Sequence, residues 1–122
     1  KIIKLGEVSV QNLIKRNKLM ITDYSSVSFD FNYLSKPIIF YHFDFKRFFN
    51  NGIMRPVDET FLGDIVIEED HVINLIEEYR DNNFKEKGVF SDRKIQVFNN
   101  VDMNNNARVF NEIIKLQKRS QV

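Results

Sequence analysis

The 122-residue sequence has no cysteine and no tryptophan, and it has few glycines and prolines. The lack of cysteine excludes a disulfide framework and a thiolate metal site. No apolar run reaches the roughly 18 residues that a transmembrane helix needs. No signal peptide is visible, so we expect a cytoplasmic location and no membrane span within this sequence.

The sequence also lacks an excess of charge of one sign. Eighteen basic and 17 acidic residues leave a formal net charge of +1. A protein that binds nucleic acid usually concentrates basic residues on one face, and no such cluster is visible. No histidines or carboxylates have metal-ligand spacing. We therefore expect no nucleic-acid partner, no metal and no other cofactor.

The composition is that of an ordinary globular protein, with 43% hydrophobic and 29% charged residues. No linker or internal repeat divides the sequence, so residues 1–122 are interpreted as one domain or a piece of one. The sequence begins at Lys1, and residues 2–5 already have the pattern of a strand. We interpret this beginning as a cut inside a larger protein.

The apolar pattern of residues 19–41 predicts a strand, a helix and a second strand. Residues 19–22 form a short apolar strand, and Val27 and Phe31 share one face of the helix that follows. Pro37 ends this helix, and residues 38–41 form the next strand. Such a βαβ unit implies parallel strands joined by a right-handed crossover. Because both strands are apolar throughout, they are expected to be buried on both faces. The predicted fold class is α/β.

The flanking regions predict further elements. Ser9 is expected to cap a first helix. Residues 43–63 are interpreted as a long loop with one helical turn near residues 45–49, and residues 64–67 as another strand. Asp70 is expected to cap a helix that buries one apolar face, formed by Val72, Leu75, Ile76 and Tyr79.

The C-terminal third is more polar. Residues 81–106 have no clear period, and we expect them to be anchored by three aromatic residues: Phe84, Phe90 and Phe98. A final helix is predicted for residues 105–118. Its inward-facing residues are expected to be Phe110, Ile113 and Ile114.

One segment has the composition of a binding site: Thr22, Asp23, Tyr24, Ser25 and Ser26 lie where a buried strand turns into a helix. Ligands of open α/β sheets bind beyond the carboxyl ends of the strands. The first turn of a helix offers free N–H groups and the positive end of the helix dipole, which suit a phosphate. The two serines add hydroxyl donors and allow close approach. Asp23 would repel a phosphate and suits a cap, or a partner's hydroxyl or ammonium group.

A simpler interpretation of this segment also stands. Serine and aspartate are the commonest helix N-caps for local reasons alone, so the spacing does not separate capping from ligand binding. The remaining candidates are weaker. His42 is expected to be a partly exposed structural residue, and His71 a surface residue. Arg47 and Arg55 in the long loop are possible phosphate contacts, with a solvated surface position as the simpler expectation.

Several motifs in register resemble one family. Residues 21–27 (ITDYSSV), 29–31 (FDF), 36–41 (KPIIFY) and 43–44 (FD) resemble the CDP-glycerol:poly(glycerophosphate) glycerophosphotransferase family. Residues 61–66 (FLGDIV) are similar to the glycine-containing segment that precedes the family's next helix. The resemblance is good over roughly residues 7–80 and looser over the remainder.

The resemblance implies a GT-B fold, in which two Rossmann-like domains face each other across a cleft. Residues 1–122 would be the C-terminal portion of the domain that binds the nucleotide donor, with part of a Rossmann-like parallel sheet and its flanking helices. Residues 22–26 would bind substrate, with the serine pair at the pyrophosphate of a CDP-polyol.

The implied reaction moves glycerol phosphate or ribitol phosphate from the CDP-polyol to a teichoic acid or capsular polymer. The catalytic base and the polymer acceptor site are expected upstream of Lys1, so no catalytic residue is expected here and the fragment alone should be inactive. The full-length protein would work at the inner face of the cell membrane, and membrane contact would come only through its other parts.

Two alternatives remain at this point. A GT-B sugar-nucleotide glycosyltransferase is disfavoured by the paired serines, since many such enzymes have a glutamate-rich helix start instead. A non-enzymatic, flavodoxin-like receiver domain would use Asp23 as its phosphoacceptor. That alternative also needs an acidic pair after the first strand and a lysine after a late strand, and both cannot be placed.

Overall fold

The computed structural model describes residues 2–4, 6–49 and 61–120. This part of the chain contains three short strands and six helices, the last three of which follow the last strand. In chain order the elements are α1 (Val10–Arg16), β1 (Met20–Thr22), α2 (Val27–Tyr33), β2 (Ile38–Tyr41), α3 (Phe45–Phe49), β3 (Asp64–Val66), α4 (Glu69–Asp81), α5 (Gly88–Val97) and α6 (Asn105–Ser120).

The strands form one parallel sheet in the order β1-β2-β3. Thr22 pairs with Phe40, and Tyr41 pairs with Val66. The carboxyl ends of all three strands therefore meet at one edge of the sheet. This arrangement confirms the predicted α/β class and the parallel pairing of the two strands of the βαβ unit.

The central strand β2 has an apolar core on each side. Ile38 and Phe40 point to one face, where they pack with Phe31 of α2, and Ile39 points to the other, where it packs with Val72 and Tyr79 of α4. Alternate side chains of a strand point to opposite faces, so a strand with a helix on both sides must be apolar throughout. The predicted buried face of α4 is confirmed.

The termini of α1 are fixed by side chains. Ser9 Oγ accepts a hydrogen bond from the backbone N of Asn12 at 3.3 Å, which confirms the predicted cap. At the other end, Lys36 Nζ donates to the carbonyl oxygens of Ile14, Lys15 and Asn17 at 2.6–2.9 Å. A cation at this position satisfies carbonyls that have no partner within the helix. Lys36 thereby ties α1 to the loop that precedes β2.

Gly63 allows the chain to pass close to β2. A Cβ atom at this position would lie 2.3 Å from the carbonyl oxygen of Ile38. Since that oxygen belongs to the backbone of a fully buried strand residue, it cannot move aside cheaply. The glycine in the segment before β3 is therefore a packing requirement.

A buried polar network joins α5 to α2. Lys94 Nζ lies 2.8 Å from Glu86 Oε2 and 2.9 Å from Ser35 Oγ, and Asn32 Nδ2 donates to Glu86 Oε1 at 2.6 Å. The Lys94 and Glu86 side chains are only 6% and 7% exposed. This region had no clear helical period in the sequence because the inward side of α5 includes a lysine.

The three predicted aromatic anchors are confirmed. Phe90 is buried, and Phe84 packs against the core cluster around Tyr79. The ring of Phe98 lies edge-on to the rings of Phe29 and Tyr33, with centroids 6.3 and 5.6 Å apart. These contacts hold the polar C-terminal third against α2 and α4.

Two local predictions are wrong, and β3 is one residue shorter than predicted. Residues 2–4 form no strand, and Leu5 lies outside the described residues; a strand requires a neighbour, and β1 pairs only with β2 among the described strands. Asp70 is not a cap, because α4 begins at Glu69 and its N-cap residue is Glu68, which makes no side-chain capping bond. The predicted strand 64–67 ends at Val66.

Residues 50–60 of the predicted loop lie outside the described residues, whereas the predicted helical turn is confirmed as α3.

The inward orientation predicted for the last helix is also wrong for two residues. Phe110 is 62% exposed and Ile113 is 49% exposed, while Ile114 is half-buried. A helical period shows that one face is apolar, but it does not show what covers that face. No helix in the described ranges is long and apolar enough to cross a membrane.

Candidate functional site

Residues 22–26, called the serine turn below, connect β1 to α2 at the carboxyl edge of the sheet. Thr22 is the last residue of β1, and Ser26 immediately precedes α2. Asp23 and Ser26 are exposed, and Thr22, Tyr24 and Ser25 are half-buried. The structure thus brings all five sequence-predicted site residues to the edge where ligands of parallel sheets bind.

The carboxylate of Asp23 is engaged within the turn. Its Oδ1 accepts a hydrogen bond from the backbone N of Tyr24 at 2.6 Å and lies 3.5 Å from the hydroxyl oxygen of Thr22. Asp23 therefore fixes its own turn and does not cap α2. These two donors partly satisfy the negative charge of Asp23. Ser25 and Ser26 are therefore the polar side chains nearest the start of α2.

The two serines differ in what they bond. Ser25 Oγ accepts from the backbone N of Val27 at 3.4 Å, close to the 3.3 Å of the bond that Ser9 accepts, and both distances are long for a hydrogen bond. Ser26 occupies the N-cap position but makes no capping bond, since its backbone is helical (φ −65°, ψ −19°) and not extended. Because α2 has only seven residues, its dipole is small, and local N–H and hydroxyl donors must supply most of any attraction for an anion.

A buried histidine supports the turn from below. The prediction that His42 is partly exposed is wrong: it is fully buried, directly after β2. Its ring stacks on Tyr24 with centroids 4.2 Å apart, and Nε2 lies 3.2 Å from the carbonyl oxygen of Asp23. Since a carbonyl oxygen can only accept, this contact is a hydrogen bond when Nε2 carries the proton. Burial lowers the pKa of His42, and hydrogen bonding to Asp23 and the charges of Asp23 and Asp44 oppose that shift.

Tyr24 links the serine turn to the residues that follow β2. Its hydroxyl donates to Asp44 Oδ1 at 3.3 Å. Burial, followed by the nearby charge of Asp44, raises the pKa of Tyr24 to about 12. The phenol therefore stays protonated and remains a donor at physiological pH. The family-like motifs at residues 21–27 and 43–44 are thus in direct contact.

Sequence reasoning missed the role of His42, although one signal was available. The parallel pairing of β1 with β2 aligns Thr22 with Phe40, so His42 follows at the level of Tyr24 and lies beside the serine turn. The burial of the ring depended on Phe61, which lies edge-on to it with centroids 5.0 Å apart. That residue comes from a segment distant in sequence.

A cavity of about 100 Å³ lies beside the turn, and its lining includes Tyr24, Ser25, Ser28, Phe40 and Phe61. The lining is mostly aromatic, with two serine side chains. A cavity of this size accommodates only a small group. The site therefore combines an exposed polar turn with a small, largely apolar recess.

The other sequence candidates lie elsewhere. His71 is exposed in the first turn of α4, as predicted, and Arg47 is exposed in α3. Arg55 lies outside the described residues. Within the described part of the chain, no group of three or more His, Cys, Asp or Glu residues could hold a metal ion.

A parallel sheet flanked by helices, with a polar turn beyond its carboxyl edge, defines an α/β domain of the Rossmann-like class. The model of the CDP-Glycerol:Poly(glycerophosphate) glycerophosphotransferase family matches residues 2–115. The chain belongs to this family, which confirms the resemblance of its motifs.

Curated relatives agree with this assignment. The chain is 32% identical over 108 residues to the minor teichoic acid biosynthesis protein GgaB of Bacillus subtilis. The aligned residues make up 88% of this chain and 12% of that protein. It is 35% identical over 83 residues to the teichoic acid glycerol-phosphate primase of Bacillus subtilis, covering 67% of this chain and 21% of the primase. The corresponding primase of Bacillus spizizenii is 37% identical over 60 residues, 48% of this chain and 16% of that protein. The chain thus spans about a fifth or less of each relative's length. No solved structure matches it.

Proposed function

We propose that this chain is the donor-binding portion of an enzyme that transfers a polyol phosphate from a CDP-polyol to a teichoic acid or capsular polymer. In this proposal the serine turn binds the pyrophosphate of the donor. The observation that carries it is Ser26, which stands at the start of α2 in an exposed position and makes no capping bond. A serine that capped its helix would have its hydroxyl directed to the backbone.

The surroundings of the turn support the same role. Parallel sheets bind ligands beyond their carboxyl edge, and the turn lies at that edge. The carboxylate of Asp23 accepts from the backbone of the turn itself, so it repels an incoming phosphate less than a free carboxylate would. Ser25 and Ser26 are small, and their hydroxyls and neighbouring N–H groups are the donors that a phosphate requires.

The chemical task of the turn is to hold and neutralise the donor. An acceptor hydroxyl would attack the phosphorus that carries the polyol, and the bond to the bridging oxygen would break, so that CMP leaves with the electron pair. The hydroxyl proton would pass to a base outside this chain. Hydrogen bonds from Ser25 and Ser26 would stabilise the charge that develops on the departing phosphate. Glycerol and ribitol donors share this pyrophosphate, so the turn serves either.

The rest of the proposal concerns the whole protein. We place the acceptor site and the catalytic base in a second Rossmann-like domain, which gives a GT-B arrangement. Positioning of the two substrates supplies a large part of the rate, so the 122-residue chain alone should transfer nothing. We further propose that the enzyme works at the inner face of the cell membrane and meets the membrane through its other parts.

Binding of CDP-glycerol to the whole protein, measured by calorimetry with and without pyrophosphate, tests the proposal. We expect pyrophosphate to compete, and we expect Ser25→Ala with Ser26→Ala to weaken binding. Ser9→Ala is the matched control, since Ser9 is a serine that demonstrably caps a helix. Undiminished binding by the double variant would contradict the assignment of the pyrophosphate to this turn.

A further inference from the structure

We propose that His42 is a positioning residue that fixes the serine turn from beneath, so that Ser25 and Ser26 are held ready for the donor. This inference rests on the proposed function only where it names the CDP-polyol donor as the ligand of the two serines. The geometric part, that His42 holds the turn, stands on the contacts of the buried ring.

The first contact holds the backbone of the turn. Nε2 of His42 lies 3.2 Å from the carbonyl oxygen of Asp23. Asp23 is two residues before Ser25, and its carboxylate is bonded to the backbone N of Tyr24. One hydrogen bond from the histidine therefore fixes the peptide unit from which both serines follow.

The second contact holds the side chain in the middle of the turn. The ring of Tyr24 stacks on that of His42 with an interplanar angle of 23°, and its hydroxyl is bonded to Asp44. Tyr24 is thus held at its ring by one residue after β2 and at its hydroxyl by another. This double attachment leaves the adjoining serine little freedom to rotate away.

The histidine is itself held rigidly, as a support must be. Its backbone N donates to the carbonyl oxygen of Val66 at 2.8 Å, which continues the sheet toward β3. Its ring is enclosed by Phe40, Phe45 and Phe61, whose centroids lie 5.0–6.4 Å away. Through His42, the position of the turn is therefore fixed by the central strand of the sheet as well as by the short helix that follows.

Amide hydrogen exchange in the whole protein tests the support without any ligand. His42→Phe retains an aromatic ring for the stack but removes the N–H donor. We expect the exchange of the Tyr24 and Val27 amides to accelerate about tenfold, the effect of losing roughly one hydrogen bond. Amides of β2 should change by less than about twofold. His42→Gln, which can offer an N–H near the Nε2 position, should restore much of the protection, and His71→Phe is the control at an exposed histidine.

Tyr24→Phe is a second variant that keeps the fold if His42→Phe does not. It retains the ring for the stack and removes the hydroxyl that donates to Asp44, so it should accelerate exchange in the turn by a smaller factor. Unchanged exchange in both variants would overturn the inference. Equal acceleration in the turn and throughout β2 would also overturn it, because His42 would then be an ordinary core residue.

Donor kinetics then connect the support to the serines. We expect His42→Phe to lower kcat/KM for CDP-glycerol about tenfold in the wild type, and about twofold or less when both serines are already alanine. Equal factors in the two backgrounds would show that His42 does not act through the serines. If the protein turns over no CDP-glycerol at all, the proposed function fails, while the exchange experiment still decides the role of His42.

Discussion

The starts of α1 and α2 both have serine, but the two helices use it differently. Ser9 has an extended backbone (φ −68°, ψ 143°), and its hydroxyl accepts from the backbone of Asn12. Ser26 has a helical backbone and no capping bond, although it occupies the same N-cap position in α2 that Ser9 occupies in α1. An N-cap hydroxyl reaches the first turn only from the extended conformation. The comparison teaches that backbone geometry, and not residue type, separates a structural serine from one available to a ligand.

The largest expected effect comes from substitutions at the start of α2, whereas the matching substitution at the start of α1 should leave activity unchanged. In the whole protein, Ser25→Ala with Ser26→Ala should lower kcat/KM for CDP-glycerol by roughly 10- to 150-fold, since loss of donors to a charged group costs about 1.5–3 kcal/mol. Ser9→Ala should leave kcat/KM unchanged. Steady-state kinetics on the purified variants checks this prediction. If the double variant has wild-type kinetics, Ser25 and Ser26 have only a structural role, as Ser9 does.

The reverse pattern is expected for stability. Ser9→Ala should lower the free energy of unfolding by about 1 kcal/mol, the usual cost of losing a cap. The double serine variant should lose at most about 0.5 kcal/mol, the low end for a cap, because Ser26 at the N-cap position of α2 makes no capping bond. Urea unfolding of the two variants measures both values. A larger loss for the serine pair than for Ser9 would erase the distinction between the two helix starts.

A smaller effect on the free energy of unfolding should appear on acidification, and it should depend on His42 beneath the serine turn but not on Ser9. Burial holds the pKa of His42 below its ordinary value of 6.5, so as the pH falls below that value the unfolded chain takes up a proton on this residue before the folded chain does. The stability associated with a neutral His42 is therefore complete above about pH 6.5 and decreases as the pH falls through that value toward the lower folded pKa.

The measurement compares unfolding free energies at pH 7 and pH 5. His42→Phe should lose less stability over this interval than the wild type does, whereas Ser9→Ala should lose as much as the wild type. If His42→Phe and the wild type have the same pH dependence, then His42 is not held neutral beneath the serine turn.

The smallest expected effect is a local one in the 122-residue chain itself. CDP should bind with a Kd near ~1 mM, about −4 kcal/mol, because the turn is local in sequence, whereas the second domain that we propose to close over the donor is not part of these 122 residues. Amide resonances of Ser25, Ser26 and Val27 should move in an NMR titration and return when pyrophosphate competes. Those of Ser9 and Asn12 should not move, and comparable shifts at both helix starts would indicate non-specific anion binding.

The parts of the fold that sequence predicts are those fixed by neighbours along the chain. The strands and helix around Phe31 follow from apolar spacing, and Pro37 limits how far α2 can extend, although the helix already ends at Tyr33. Residues 2–4 show the opposite case, because a strand exists only with a partner. The inward face of α5 was missed since Lys94 is buried with Glu86, and a lysine in a pattern normally indicates an exposed position.

The candidate site was predicted to the same extent and for the same reason. The position of the serine turn follows from the order of its elements, and its motif carries the family resemblance. The burial of His42 beneath it depends on Phe61 and on the pairing of strands, which no local pattern contains. The state of Ser26 depends on a backbone angle that the residue type does not determine.

The ion pair between Lys94 and Glu86 has a consequence for how the C-terminal third assembles. Both groups leave water only when α5 is seated against α2, and each is compensated only by the other and by a few fixed polar neighbours. A half-seated α5 would leave a desolvated charge without its partner, which costs several kcal/mol. Intermediate positions are thereby depopulated, so α5 should attach and detach as a unit, in an all-or-none step, and not loosen gradually from one end.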